Sequence, residues 1–174
     1  GGGCVCEAVY CRLWRVSPYR TLVSGAVKTS GAMAAVFAVD PAPAPGFLAV
    51  LFLTLFFWEI GGQNIPNDMT DIEEDRQMMA RTIPVCFGVE RSIAIAVASL
   101  SAAVLINPVV FQLAALPRKG LSSLLALAVG CCLLLWPALR LVQGKGREPA
   151  MALFNRASYY PPALLGVVLL GLII

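Results

Sequence analysis

The chain contains no histidine and little charge. Of its 174 residues, 13% are charged and 59% hydrophobic, whereas a soluble domain carries about 25% charged residues. The missing histidine excludes imidazole acid–base catalysis, a Ser-His-Asp hydrolase and most zinc centres. The six cysteines (Cys4, Cys6, Cys11, Cys86, Cys131 and Cys132) include no CxxC pair, which argues against a zinc ribbon or a thioredoxin-like site. Cys4 and Cys6 have no second pair beside them, and Cys131-Cys132 reads as small apolar filling within an apolar run. No basic patch with interleaved aromatics occurs, so no nucleic-acid partner is expected.

What the chain does have is long apolar runs, and its mean hydropathy is +0.79. Runs at about 21–39, 47–63, 92–116, 121–142 and 159–174 are separated by Pro-rich, acidic or basic connections. A membrane span needs about 20 apolar residues, with a lower limit near 17. The expected fold is therefore all-α: a multi-pass transmembrane bundle of about five spans, with residues 1–174 as one membrane-embedded domain. Ten of the thirteen Lys and Arg residues fall on one side: Arg12, Arg15, Arg20, Arg76, Arg81, Arg91, Arg140, Lys145, Arg147 and Arg156. Arg118 and Lys119 fall on the other, and Lys28 lies inside the first run. The positive-inside rule then places the loop after residue 63 in the cytoplasm. Trp14, Tyr19, Trp58, Trp136, Tyr159 and Tyr160 gather at the same interface, as an aromatic belt does.

That loop carries the densest polar stretch in the chain. Asp68, Asp71, Glu73, Glu74 and Asp75 are five acids within eight residues. At 100° per residue, Asp68, Asp71 and Asp75 fall at about 0°, −60° and −20° on one helix, with Asn64 at about −40°. Carboxylates crowded on one stripe raise each other's pKa. A divalent cation removes that cost, and hard oxygen donors suit Mg²⁺, which is commonly shared with substrate phosphates. The plainer alternative is an acidic helix start favoured by the helix dipole. It leaves unexplained why Asp, a poorer helix former than Glu, recurs on the stripe. Arg76 and Arg81 flank the stripe, either to hold a phosphate or diphosphate or to balance Glu73 and Glu74. Lys28 in mid-span requires a partner or a cavity, and the two readings stand level.

The stretch Asn67-Asp-Met-Thr-Asp-Ile-Glu-Glu-Asp75-Arg76, followed by Arg81-Thr-Ile-Pro84 and Phe87-Gly88, resembles the second aspartate-rich motif of the UbiA-type intramembrane prenyltransferases. The basic-aromatic segment leading into a small-residue helix, Tyr10 to Gly31, and Leu153-Phe154 before a final apolar run are also similar to that family. The resemblance implies a nine-span bundle with two facing aspartate-rich motifs, of which this chain matches the C-terminal half. It implies Mg²⁺ as cofactor, a prenyl diphosphate as donor and a lipophilic or aromatic acceptor, as in quinone or related lipid biosynthesis. It assigns Asp68, Asp71 and Asp75 to the metal, with Asp71 and Asp75 central to catalysis. Asn64 and Arg81 are assigned to the diphosphate, beside Arg76, which flanks the stripe; Lys28 is placed at the substrate cavity, or in a structural pairing, by its mid-span charge alone. Glu7, Asp40, Glu59, Glu90 and Glu148 form no second acid cluster at helical spacing. The chain alone is therefore expected to lack turnover. The competing readings are an ion-coupled carrier, suggested by Lys28 and the Pro-interrupted helices, and a membrane fragment without catalysis. A CDP-alcohol phosphotransferase would require an Asp-Gly-x-x-Ala-Arg opening, which is missing.

Overall fold

The computed structural model describes residues 17–173. Cys4, Cys6, Cys11 and the basic-aromatic residues Tyr10, Arg12, Trp14 and Arg15 lie outside the described residues. Among the described residues every regular element is helical. Five helical stretches are long and apolar enough to cross a membrane: Arg20–Val39, Pro45–Thr70, Val89–Leu113, Lys119–Gly144 and Arg147–Ile173. The first is α1 (Arg20–Val39), which ends at an Asp40 turn where Asp40 Oδ1 accepts from Ala42 N at 3.0 Å. The second begins as α2 (Pro45–Trp58) with proline in its first turn, where no backbone donor is lost.

The second stretch continues to Thr70, beyond the apolar run at 47–63. It does so through a π-helical segment, Glu59–Asn64, which leads into α3 (Ile65–Thr70). Pro66 has no N–H and would crowd the carbonyl one turn before it. The ladder slips by one residue instead, and Ile65 N–H bonds to Ile60 O. The same device recurs in the fourth stretch. There α7 (Lys119–Gly130) passes through a π segment, Cys131–Leu135, into α8 (Trp136–Gly144), with Pro137 two residues past the segment. Between α3 and α6 (Val89–Leu113) lie two short helices, α4 (Ile72–Gln77) and α5 (Ile83–Phe87). Gly88, at φ 83, turns the chain from α5 into α6, a conformation that glycine adopts at no steric cost. The last stretch is α9 (Arg147–Ser158) and α10 (Tyr160–Ile173), broken at Tyr159.

The core is a seam around α6. Ala96, Leu100 and Val104 meet Ile60 and Ile65 from the second stretch and Leu134 and Leu141 from the fourth, all buried. Outward faces stay apolar: Leu105 is 72% exposed, Leu124 66% and Leu165 58%. In a soluble protein such surface would be a liability; on a bundle of this length and hydropathy it faces lipid tails. Cys131 and Cys132 are also exposed, so they sit on this outer surface rather than filling the interior as expected.

Without a hydrophobic drive between helices in lipid, close approach of backbones supplies the packing. Gly61 makes one such approach. A Cβ there would sit 2.7 Å from Ala96 O and 3.0 Å from both Ser99 and Leu100. The obstructing oxygen belongs to the α6 backbone and cannot swing aside. Gly61→Ala is therefore expected to destabilise the fold by about 1–3 kcal/mol. Gly31→Ala, where a Cβ meets nothing within 4 Å, is expected to be neutral or slightly stabilising. Thermal unfolding of both variants in detergent checks this; equal stability would remove the tight crossing.

Candidate functional site

The site forms where α1 lies antiparallel to the second stretch. Arg20, in the first turn of α1, places Nη2 3.1 Å from Asp68 Oδ1 in α3. Both side chains are nearly buried, at 10% and 11% exposure. Two turns along α1, Lys28 Nζ pairs with Glu59 Oε1 in the π segment and reaches Asn64 Oδ1 at 3.4 Å. Position 20 pairs with 68 and position 28 with 59, so the two ion pairs lock the helices at two heights about 12 Å apart. A lone charge inside a span costs about 2.5–3.5 kcal/mol on insertion scales. The Lys28–Glu59 pair relieves that cost for both partners. Between the pairs lies a cavity of about 360 Å³ lined by Arg20, Ser24, Lys28, Gln63, Asn64, Asn67, Asp68 and Phe154. The structure thus joins the two readings of Lys28: it is paired, and it lines a polar cavity.

The three aspartates do not share one continuous helix. The helix breaks at Asp71, which has φ −115 and ψ 19, a sparsely populated region where many active-site residues sit. The physical reason is Thr70. Its hydroxyl donates to Asn67 O at 2.7 Å and lies 3.0 Å from Asp71 Oδ1, competing with the backbone ladder as Ser and Thr do. Asp71 then serves as the residue before α4, and its carbonyl accepts from Asp75 N at 2.8 Å. Asp75 is buried at the back of α4, while Glu73 and Glu74 are exposed. Burial pushes the Asp75 carboxyl above its usual range. The Thr82 hydroxyl and Arg20 pull it down, and Asp71 and Glu74 push it further up. Arg20 is therefore within electrostatic reach of Asp75 as well as bonded to Asp68.

Of the flanking cations, Arg76 Nη1 bonds Glu73 Oε1 at 3.1 Å, and both are exposed. Arg81 is exposed and makes no ion pair among the described residues. It follows Met79, whose positive φ of 57 reverses the chain so that Ala80 N bonds back to Asp75 O at 2.8 Å. Sequence reasoning did not single out Arg20 or Glu59. Arg20 read as an interfacial cation, and Glu59 as the polar end of an apolar run.

Among the described residues no group of three carboxylate, cysteine or histidine ligands lies close enough to enclose a metal ion by itself. Mg²⁺ typically uses one or two carboxylates and completes its shell with water and substrate phosphate. Asp71 and Asp75 are hard oxygen donors close enough to repel each other.

A multi-pass helical protein with paired charges and an acidic hairpin at one end of the bundle is the class these features define. Residues 1–159 match the UbiA prenyltransferase family, and the chain belongs to it. No curated protein and no solved structure matches the chain. Membership carries the family's general character: an integral membrane protein of the prenyltransferase kind, acting on lipophilic acceptors with a divalent metal.

Proposed function

We propose that this protein takes part in Mg²⁺-dependent transfer of a prenyl group from a prenyl diphosphate to an aromatic, lipid-soluble acceptor, as in quinone or related lipid biosynthesis. The observation that supports this most is the polar cavity edged by Arg20, Lys28, Asn64 and Asp68 at the end of an otherwise apolar bundle. It offers a charged headgroup a polar seat, and the apolar helices around it would take the isoprenoid tail. Asp71 and Asp75, with Asp68, would hold Mg²⁺, which when bound neutralises charge on the diphosphate. Arg20 and Arg81 would bind the diphosphate oxygens, with Asn64 donating from its amide; Arg76, tied to Glu73 at the rim, adds positive field. Arg20, held in place by Asp68, would be fixed before reaction and so stabilise the charge that develops as the allylic C–O bond breaks. Lys28, held by Glu59, would face the acceptor side of the cavity. Packing of the apolar helices around the cavity would have to keep water from the allylic cation until the acceptor's electron pair closes the new bond and its proton leaves.

The test is transfer of labelled prenyl groups in lipid by the protein reconstituted together with a family N-terminal half that supplies the first aspartate-rich motif, with Mg²⁺ and with chelator. Product that forms only with Mg²⁺ supports the reading, and product formed equally in chelator refutes it.

The acidic hairpin is proposed to face the cytoplasm, since ten of the thirteen cations lie on its side. Single cysteines placed at Gln77 and at Pro43, in a chain stripped of native cysteine, test the orientation. An impermeant thiol reagent added outside intact cells is expected to label position 43 and spare position 77; the reverse pattern overturns the assignment.

A further inference from the structure

Two adjoining grooves, neither lined by an aspartate, lie where α8 turns into α9. One face of α8 forms a groove of about 600 Å³ along Trp136, Arg140 and Gln143. A cleft of about 250 Å³ adjoins it between α8 and α9, edged by Arg140, Arg156 and Glu148. Arg140 belongs to both. Its guanidinium carbon lies 5.4 Å from the centre of the Trp136 ring, one helical turn earlier, so stacking orients the fork without consuming its donors. Neither Arg140 nor Arg156 forms an ion pair with a described residue. Lys145, nearby, is occupied by Glu90 at 2.7 Å. The cleft thus holds two uncommitted guanidiniums against one carboxylate, Glu148.

Its depth decides what it fits. Arg140 sits four residues before the end of the fourth membrane stretch at Gly144, about 6 Å of helix rise. That is the level of lipid headgroups, where exposed tryptophan also settles; Trp136 is 53% exposed. Leu139, also on the groove, is 55% exposed and offers apolar surface to acyl chains.

We propose that this α8–α9 cleft is a binding site for the phosphate headgroup of an anionic phospholipid, with Arg140 and Arg156 gripping the phosphate and Trp136 lying against the glycerol and upper chain. The site is separate from the aspartate hairpin and does not depend on prenyl transfer.

Lipid binding to the full chain in mild detergent, followed by native mass spectrometry, tests it with three probes: phosphatidylglycerol, phosphatidylcholine and inorganic phosphate. Phosphatidylglycerol is expected to bind at least about tenfold more tightly than phosphatidylcholine, because phosphatidylcholine carries the same phosphate but sets a quaternary ammonium beside the two guanidiniums, and like charges repel. Inorganic phosphate, lacking the chains, is expected not to displace it. Arg140→Gln with Arg156→Gln should bring phosphatidylglycerol down to the phosphatidylcholine level, while Arg118→Gln with Lys119→Gln at the opposite end should change nothing. Equal binding of the two lipids, displacement by inorganic phosphate, or an undiminished preference in the Arg140/Arg156 variant would each overturn the proposal. The wild-type comparison stands even if that variant fails to fold.

Discussion

Replacing Asp71 or Asp75 by Asn is expected to lower prenyl transfer, assayed with the first aspartate-rich motif supplied, by at least about a hundredfold while leaving membrane insertion and folding intact. The two halves of that expectation have separate causes. Both residues lie beyond the last residue of the second membrane stretch, Thr70, so neither affects insertion. Folding tolerates the change because Asn keeps the shape and an acceptor oxygen. At Asp75, moreover, burial raises the carboxyl pKa, which means the folded state opposes the charge and a neutral amide relieves that cost. A lost activity in Asp75→Asn would therefore not be a folding defect. Turnover and thermal stability measured on the same preparations separate the two. Near-normal turnover in both variants would end the metal-holding role.

Arg20→Met is expected to do the opposite, striking stability first. It leaves the Asp68 carboxylate buried without its 3.1 Å partner and removes the cation that offsets Asp75. Removing one member of a buried pair costs about 3–5 kcal/mol, because the other charge stays behind. Adding Asp68→Asn to Arg20→Met should recover part of the loss, since the stranded charge is then gone. Reversible unfolding in mixed micelles of the two single variants and the double checks this. An Arg20→Met protein as stable as wild type would show that the pair does not hold α1 to α3.

Much of this was legible in the sequence because bilayer thickness constrains apolar runs so tightly. The runs give the five crossings, and the Asp-rich segment marks where the candidate site is proposed. The internal shape of that segment was not legible. A 100° count assumes an unbroken helix, and Thr70 breaks it by bonding Asn67 O and meeting Asp71, a contest between side chain and backbone that periodicity cannot register. The extension of the second helix to Thr70 was hidden for a related reason. Pro66 looks like a terminator, yet a one-residue slip at Ile65 accommodates it. Glu59 was the most available signal left unread. A carboxylate inside one apolar run and Lys28 inside its neighbour, each costly alone, had every reason to meet. Arg20 was harder, because a cation at the start of a span ordinarily reports orientation and nothing more.

The most direct measurement is calorimetric binding of an unreactive prenyl thiodiphosphate to the protein in lipid nanodiscs, with Mg²⁺ and then with chelator. It needs no turnover and no acceptor. If the acidic hairpin holds the metal against the diphosphate, binding should weaken at least about tenfold without Mg²⁺, and Asp71→Asn should weaken it as much with Mg²⁺ present. Equal affinity with and without Mg²⁺, unchanged in Asp71→Asn, would contradict the assignment of these residues to a diphosphate-bound metal.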